Sequence, residues 1–156
     1  MQRNSFLIVT TMAVIAVLLT VVPLPNWLDI VRPAFVALVV LYFSTMAPNA
    51  GGIALAFIPG LALDALTGSL LGEHAFALSL LAYLAIRLHL MTRAKPIFEQ
   101  SLLVFGGLLI YESILWAVDG WTGQPLGNAT RWLHTLVGAL IWPVVFGVLG
   151  RFHAPQ

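Results

Sequence analysis

The sequence contains no cysteine, and only 8% of its 156 residues are charged, seven Lys or Arg against six Asp or Glu. The first absence excludes disulfides, thiolate metal ligands and a cysteine nucleophile. The second excludes an ordinary soluble domain, in which about 25% of residues carry charge. A formal net charge of +1, with no run of Lys or Arg, also denies the chain the electrostatic footprint of a nucleic-acid binder. There is no Gly-x-Ser-x-Gly elbow, no His-Glu-x-x-His zinc helix and no glycine loop that would cradle a phosphate. Catalysis is therefore not expected, nor is a metal or a cofactor.

What the chain has in abundance is apolar sequence: 60% of residues are hydrophobic and the mean hydropathy is +0.98. Such a composition defines an integral membrane protein, here one domain without a defensible internal repeat. The apolar runs predict an all-α, polytopic bundle of six transmembrane helices at about residues 6–22, 34–46, 51–67, 73–90, 97–118 and 132–149. The first run would be about 25 Å long as a helix, just enough to span. Val22-Pro23-Leu24-Pro25 after it offers no small-x-small cleavage site, so an uncleaved anchor is expected.

Residues 34–67 are ambiguous, because the turn signal from Pro48 to Gly52 carries no charge. They read either as two short spans or as one broken one. Charge placement decides for two. With six spans, Arg3, Arg87, Arg93, Lys95 and Arg151 fall on one side, as the positive-inside rule requires, and only Arg32 and Arg131 on the other. Both termini are then expected in the cytoplasm.

The chain is organised around residues 57–74, FIPGLALDALTGSLLGEH. Asp64 sits in an apolar helix pattern with Gly60 and Gly68 four residues to either side. Facing lipid, its carboxylate would cost about 2.5 to 3.5 kcal/mol, so it is expected to point into protein or a wet cavity. Gly60 and Gly68 read as packing glycines that let a neighbouring backbone approach; Gly68 and Gly72 read equally as helix stop and turn. His74 opens the next run beside Glu73, and its pairing with Asp64 across the turn is open. On the six-span map Asp64, Glu73, His74, Glu112, Asp119, Arg131 and Arg32 form a polar ring near the outer face. Glu112 has three readings: cavity exposure, pairing with Arg131, or a neutral acid. Arg87, His89, Arg93, Lys95 and Glu99 anchor helix ends at the inner face. Pro143 is expected to bend the last span, and Trp116, Trp121 and Trp132 read as an interfacial belt.

The pattern Pro59-Gly60-x-x-x-Asp64-x-x-x-Gly68-Ser69-x-x-Gly72-x-His74, followed by residues 78–87 and later by Ile141-Trp142-Pro143, resembles the rod shape-determining protein MreD family. The similarity extends over residues 32–151, and the stretch from Asp64 to His74 is its specific part. One departure matters. Members often carry an Asp between the Pro and the Phe of the Arg32-Pro33 segment, where this chain has Ala34. No role for that carboxylate carries over, and Arg32 needs another polar partner.

The resemblance implies a bacterial inner-membrane subunit of the cell-elongation machinery. It would bind MreC and work in one complex with the actin-like MreB and a RodA-type polymerase with its class B penicillin-binding protein. It also implies a fold similar to the substrate-binding subunits of energy-coupling-factor transporters. Two functions stand side by side: a structural adaptor docked through helix faces among membrane lipids, and a substrate-binding transport subunit or binder of a lipid-linked precursor. Against the second, the hydrogen-bonding groups near the ring are few beyond the acids, His74 and Tyr83. Pairing with a second copy of the chain is left open by the sequence.

Overall fold

A computed structural model describes residues 2–152 apart from 30 and 128, without the side chains of 2–5, 50 and 51. The basic group expected at Arg3 lies outside the described side chains. All regular structure among the described residues is helical: α1 (Gln2–Val21), α2 (Asn26–Asp29), α3 (Phe35–Met46), α4 (Pro48–Gly51), α5 (Ala54–Thr67), α6 (Glu73–Arg93), α7 (Ile97–Thr122) and α8 (Arg131–Phe152).

The breaks fall where the backbone demands them. Pro23 and Pro25 stop α1, because proline lacks the N–H that would continue the ladder. Pro48 starts α4 at a position where a missing N–H is harmless. Gly68 (φ 69°) ends α5 and Gly123 (φ 72°) ends α7 in the left-handed conformation that glycine adopts without steric penalty. The span expected at residues 51–67 is divided: residues 48–51 form their own single turn, and α5 begins at Ala54. At their far ends α6 and α7 outrun the apolar sequence, reaching Arg93 and Thr122, because backbone bonding continues to Ala94 N–Leu90 O and Gly123 N–Asp119 O.

Three helices, α6, α7 and α8, are long and apolar enough to cross a membrane. The other apolar helical stretches, Phe6–Val21, Phe35–Met46 and Ala54–Thr67, are shorter. The shortest is also the most enclosed. Residues 36–38 and 40–45 of α3 are all buried, and α3 packs against α1, α6 and α8 while α6 packs against α5, α3 and α7. Leu38, Leu78, Leu81, Leu108 and Trp142, each no more than 1% exposed, fill the middle. Trp142 Nε1 donates to Gln100 Oε1 at 3.4 Å, the partner a buried indole N–H requires. Pro143 lies inside α8 without ending it.

Polar contacts sort the helix ends into two poles. At one, the Arg93 guanidinium at the end of α6 donates to the carbonyl of Met46 at the end of α3. At the other, Arg32 just before α3 donates to Leu19 O and Val22 O at the end of α1. His134 in the first turn of α8 donates to Arg32 O, and Arg131 at the start of α8 reaches Glu112 and Asp119 on α7. The end of α5 meets the start of α6 through Asp64 and His74. Successive long helices therefore alternate in direction.

Candidate functional site

The polar pole is built around Asp64, which is 1% exposed and lies one turn before the end of α5. Gly68 and Gly72 (φ 101°) turn the chain back so that α6 starts beside that carboxylate. Oδ1 accepts from His74 N at 2.9 Å, His74 Nδ1 at 2.8 Å and Ser69 Oγ at 3.1 Å. Oδ2 accepts from Gly72 N at 2.8 Å and Ala75 N at 3.4 Å.

A helix start leaves its first N–H groups without intrahelical partners, and its own N-cap side chain normally satisfies one. The residue in that place here is Gly72, which has no side chain to give. Asp64 caps α6 from the preceding helix instead, placing a negative charge where the helix dipole favours it.

The close approach depends on Gly60. A Cβ built there would lie 2.4 Å from Ala75 Cα and 2.7 Å from Ala75 N, so α5 and α6 cross backbone to backbone one turn before Asp64. Gly68 does not share that packing role. A Cβ on it would meet nothing within 4 Å, and its positive φ is what calls for glycine. Gly72 likewise serves the turn.

A second knot is tied by Arg131. Its Nε donates to Glu112 Oε2 at 3.0 Å and its Nη1 to Asp119 Oδ2 at 2.5 Å. Glu112 and Asp119 are seven residues apart on α7 and so share a face. Together they offset the unfavourable placement of a cation at the start of α8. Of the readings open for Glu112, the structure shows two together, the pair with Arg131 and a place in the wall of a cavity. Replacing Arg131 by Met should destabilise the protein by about 3 kcal/mol, because it strands the buried Glu112 carboxylate. The double variant Arg131→Met, Glu112→Leu should recover most of that loss, as a double-mutant cycle on thermal stability in detergent would show.

Arg32, lacking a carboxylate at Ala34, finds carbonyls at the end of α1, Leu19 O at 2.7 Å and Val22 O just past the helix, and reaches Asp29 at 3.4 Å. Its Nε is buried without a partner among the described residues.

Between these knots lies a cavity of about 240 Å³. Arg32, His74, Glu112 and Arg131 line it, and Asp64 stands behind His74. Two lining residues escaped the sequence reading, Tyr111 and His134. Both were within reach of it, since Tyr111 adjoins Glu112 and His134 lies one turn from Arg131 on the same face of α8. Tyr83 does not join them. It is 41% exposed on α6, with the Arg87 guanidinium 5.6 Å from its ring centre.

A strongly apolar bundle, all-helical among the described residues, with its buried ionisable groups paired at one pole is a polytopic membrane protein. The model of one family, described as rod shape-determining protein MreD, matches residues 2–152. A Haemophilus influenzae protein described in the same words is 32% identical over 133 residues, covering 85% of this chain and 82% of that protein. The chain belongs to the MreD family, whose description is a role in cell shape. No solved structure matches the chain.

Proposed function

We propose that this protein is a non-enzymatic subunit of the bacterial cell-elongation complex, seated in the inner membrane with both termini in the cytoplasm. In this reading it binds MreC directly and helps to organise lateral peptidoglycan synthesis alongside MreB and a RodA-type polymerase with its class B penicillin-binding protein. The observation that carries the reading is the family match over residues 2–152, nearly the whole chain. The architecture supports it. Among the described residues the connections between long helices are short, which leaves helix faces, brief connections and the tails for partners to meet. The polar pole supplies its own hydrogen-bond partners at Asp64 and Arg131, which suits a part that holds a shape.

The apolar faces open to a partner helix include Phe98 (85% exposed) and Leu102 (70%) on α7, and Leu140 (71%) and Val144 (63%) on α8. Photo-crosslinkers placed one at a time at such positions around the bundle should capture MreC in intact cells from one contiguous face. Rod-shaped cells in which no helix face of this protein yields an MreC adduct would contradict the adaptor role.

A further inference from the structure

We infer that the cavity at the polar pole receives a phosphodiester, a monoanion whose oxygens accept the hydrogen bonds that its wall leaves unmade. This chemistry goes beyond the adaptor role and does not depend on it. The wall is short of acceptors. Arg32 Nε is buried without a partner among the described residues. Arg131 directs Nε to Glu112 and Nη1 to Asp119, and its Nη2 has no partner there. Tyr111 is 3% exposed and lines the cavity, and its hydroxyl makes no hydrogen bond among the described residues. Against these three donors stands one idle carboxylate oxygen, Glu112 Oε1. Whichever nitrogens of His74 and His134 carry protons, the three donors remain.

Charge points the same way. Arg32 and Arg131 line the cavity against Glu112, whereas Asp64 and Asp119 are not part of its wall. Asp64 is held by the first N–H groups of α6, and Asp119 by Arg131. Arg32 is the less neutralised of the two cations. Its guanidinium meets two uncharged carbonyls and, at 3.4 Å, an Asp29 side chain that is 59% exposed, a contact that water screens. Both arginine side chains stay partly exposed, so a guest can reach them. One negative charge balances the wall. A phosphate monoester, with a charge of about −1.5 to −2 at neutral pH, would press its excess against Glu112. A diester carries the single charge, and its oxygens suit the planar guanidinium fork.

The place suits a lipid as well as a solute. Trp27 on α2, Trp121 at the end of α7 and Trp132 at the start of α8 are exposed around this end of the bundle, as tryptophans are at headgroup depth. Val36, Ala37, Leu63 and Leu115 give the cavity an apolar side. Its volume of about 240 Å³ lies just below the ~300 to 1,000 Å³ of drug-sized pockets, space for a headgroup and not for a whole lipid. A phosphodiester can come from two sources, a phospholipid headgroup or a soluble diester.

The test uses the full chain purified in detergent, with native mass spectrometry and thermal shift as readouts. The probes are phosphatidylglycerol, phosphatidylcholine and diacylglycerol with identical acyl chains, and soluble glycerophosphoglycerol. Diacylglycerol lacks the phosphate, and phosphatidylcholine offsets it with its own cation. Retention of phosphatidylglycerol over either should be about tenfold or more, the worth of one hydrogen bond to a charged group. Arg32→Gln should abolish the preference. Should that variant not fold, Ala34→Asp gives the wall a carboxylate two residues from Arg32, supplies the missing acceptor from the chain itself and should abolish the preference without lowering the melting temperature in lipid-free detergent. Protection by glycerophosphoglycerol that Ala34→Asp removes, with no preference among the lipids, would identify a soluble diester as the source. Equal retention of the three lipids with no protection by glycerophosphoglycerol, or a preference that survives Ala34→Asp, would overturn the site.

Discussion

Replacing Asp64 by leucine should lower the stability of the protein by on the order of 3 to 5 kcal/mol, one of the two largest effects expected for a single substitution here. The side chain is 1% exposed and accepts from the backbone N–H groups of Gly72, His74 and Ala75, from Ser69 Oγ and from His74 Nδ1. Leucine would leave those donors facing a methyl group at a helix start that has no other cap. Less protein should accumulate in the membrane, and rod-shaped cells that depend on it should round up.

Two companion variants separate capping from the histidine pair. In Asp64→Asn one oxygen can still accept from the backbone, so part of the stability should return. His74→Ala removes only the imidazole and should cost about 1 kcal/mol. Thermal unfolding in detergent ranks the three, and an Asp64→Leu protein as stable and as abundant as the parent would end the capping account.

Gly60→Ala is expected to rank beside it. The added Cβ would sit 2.4 Å from Ala75 Cα, a backbone atom that no rotamer change can move away. The two helices must part, and the expected loss is about 3 kcal/mol, the upper part of the range for overpacking. The natural control is Gly106→Ala on α7, where an added Cβ meets nothing within 4 Å. There the better helix propensity of alanine should leave stability unchanged or raise it by up to ~1 kcal/mol. Equal melting temperatures for Gly60→Ala and the parent would show that α5 and α6 do not cross as closely as described.

Hydropathy and punctuation made much of this architecture readable, because a bilayer demands long apolar helices and proline and glycine mark their ends. The pairing of Asp64 with the start of α6 was not readable. Ten residues and a turn lie between Asp64 and His74, and their meeting depends on how closely α5 passes α6 at Gly60, a distance that no residue spacing encodes. Gly60 and Gly68 look alike in sequence, yet one admits a neighbouring backbone and the other only turns the chain. The contact from His134 to the carbonyl of Arg32 joins residues 102 apart, and nothing local in either segment announces it. Arg131 with Glu112 is within reach of the sequence because the six-span map sets both charges at one membrane depth. Asp119 as the second carboxylate follows from helical periodicity on α7.

The brevity of α3 has a consequence for the lipid around the protein. Its 12 residues rise about 18 Å, against a hydrocarbon layer of about 30 Å. The turn that follows Met46 therefore ends inside the thickness of that layer, and because α3 is packed between α1, α6 and α8, its neighbours and not the acyl chains fill the shortfall.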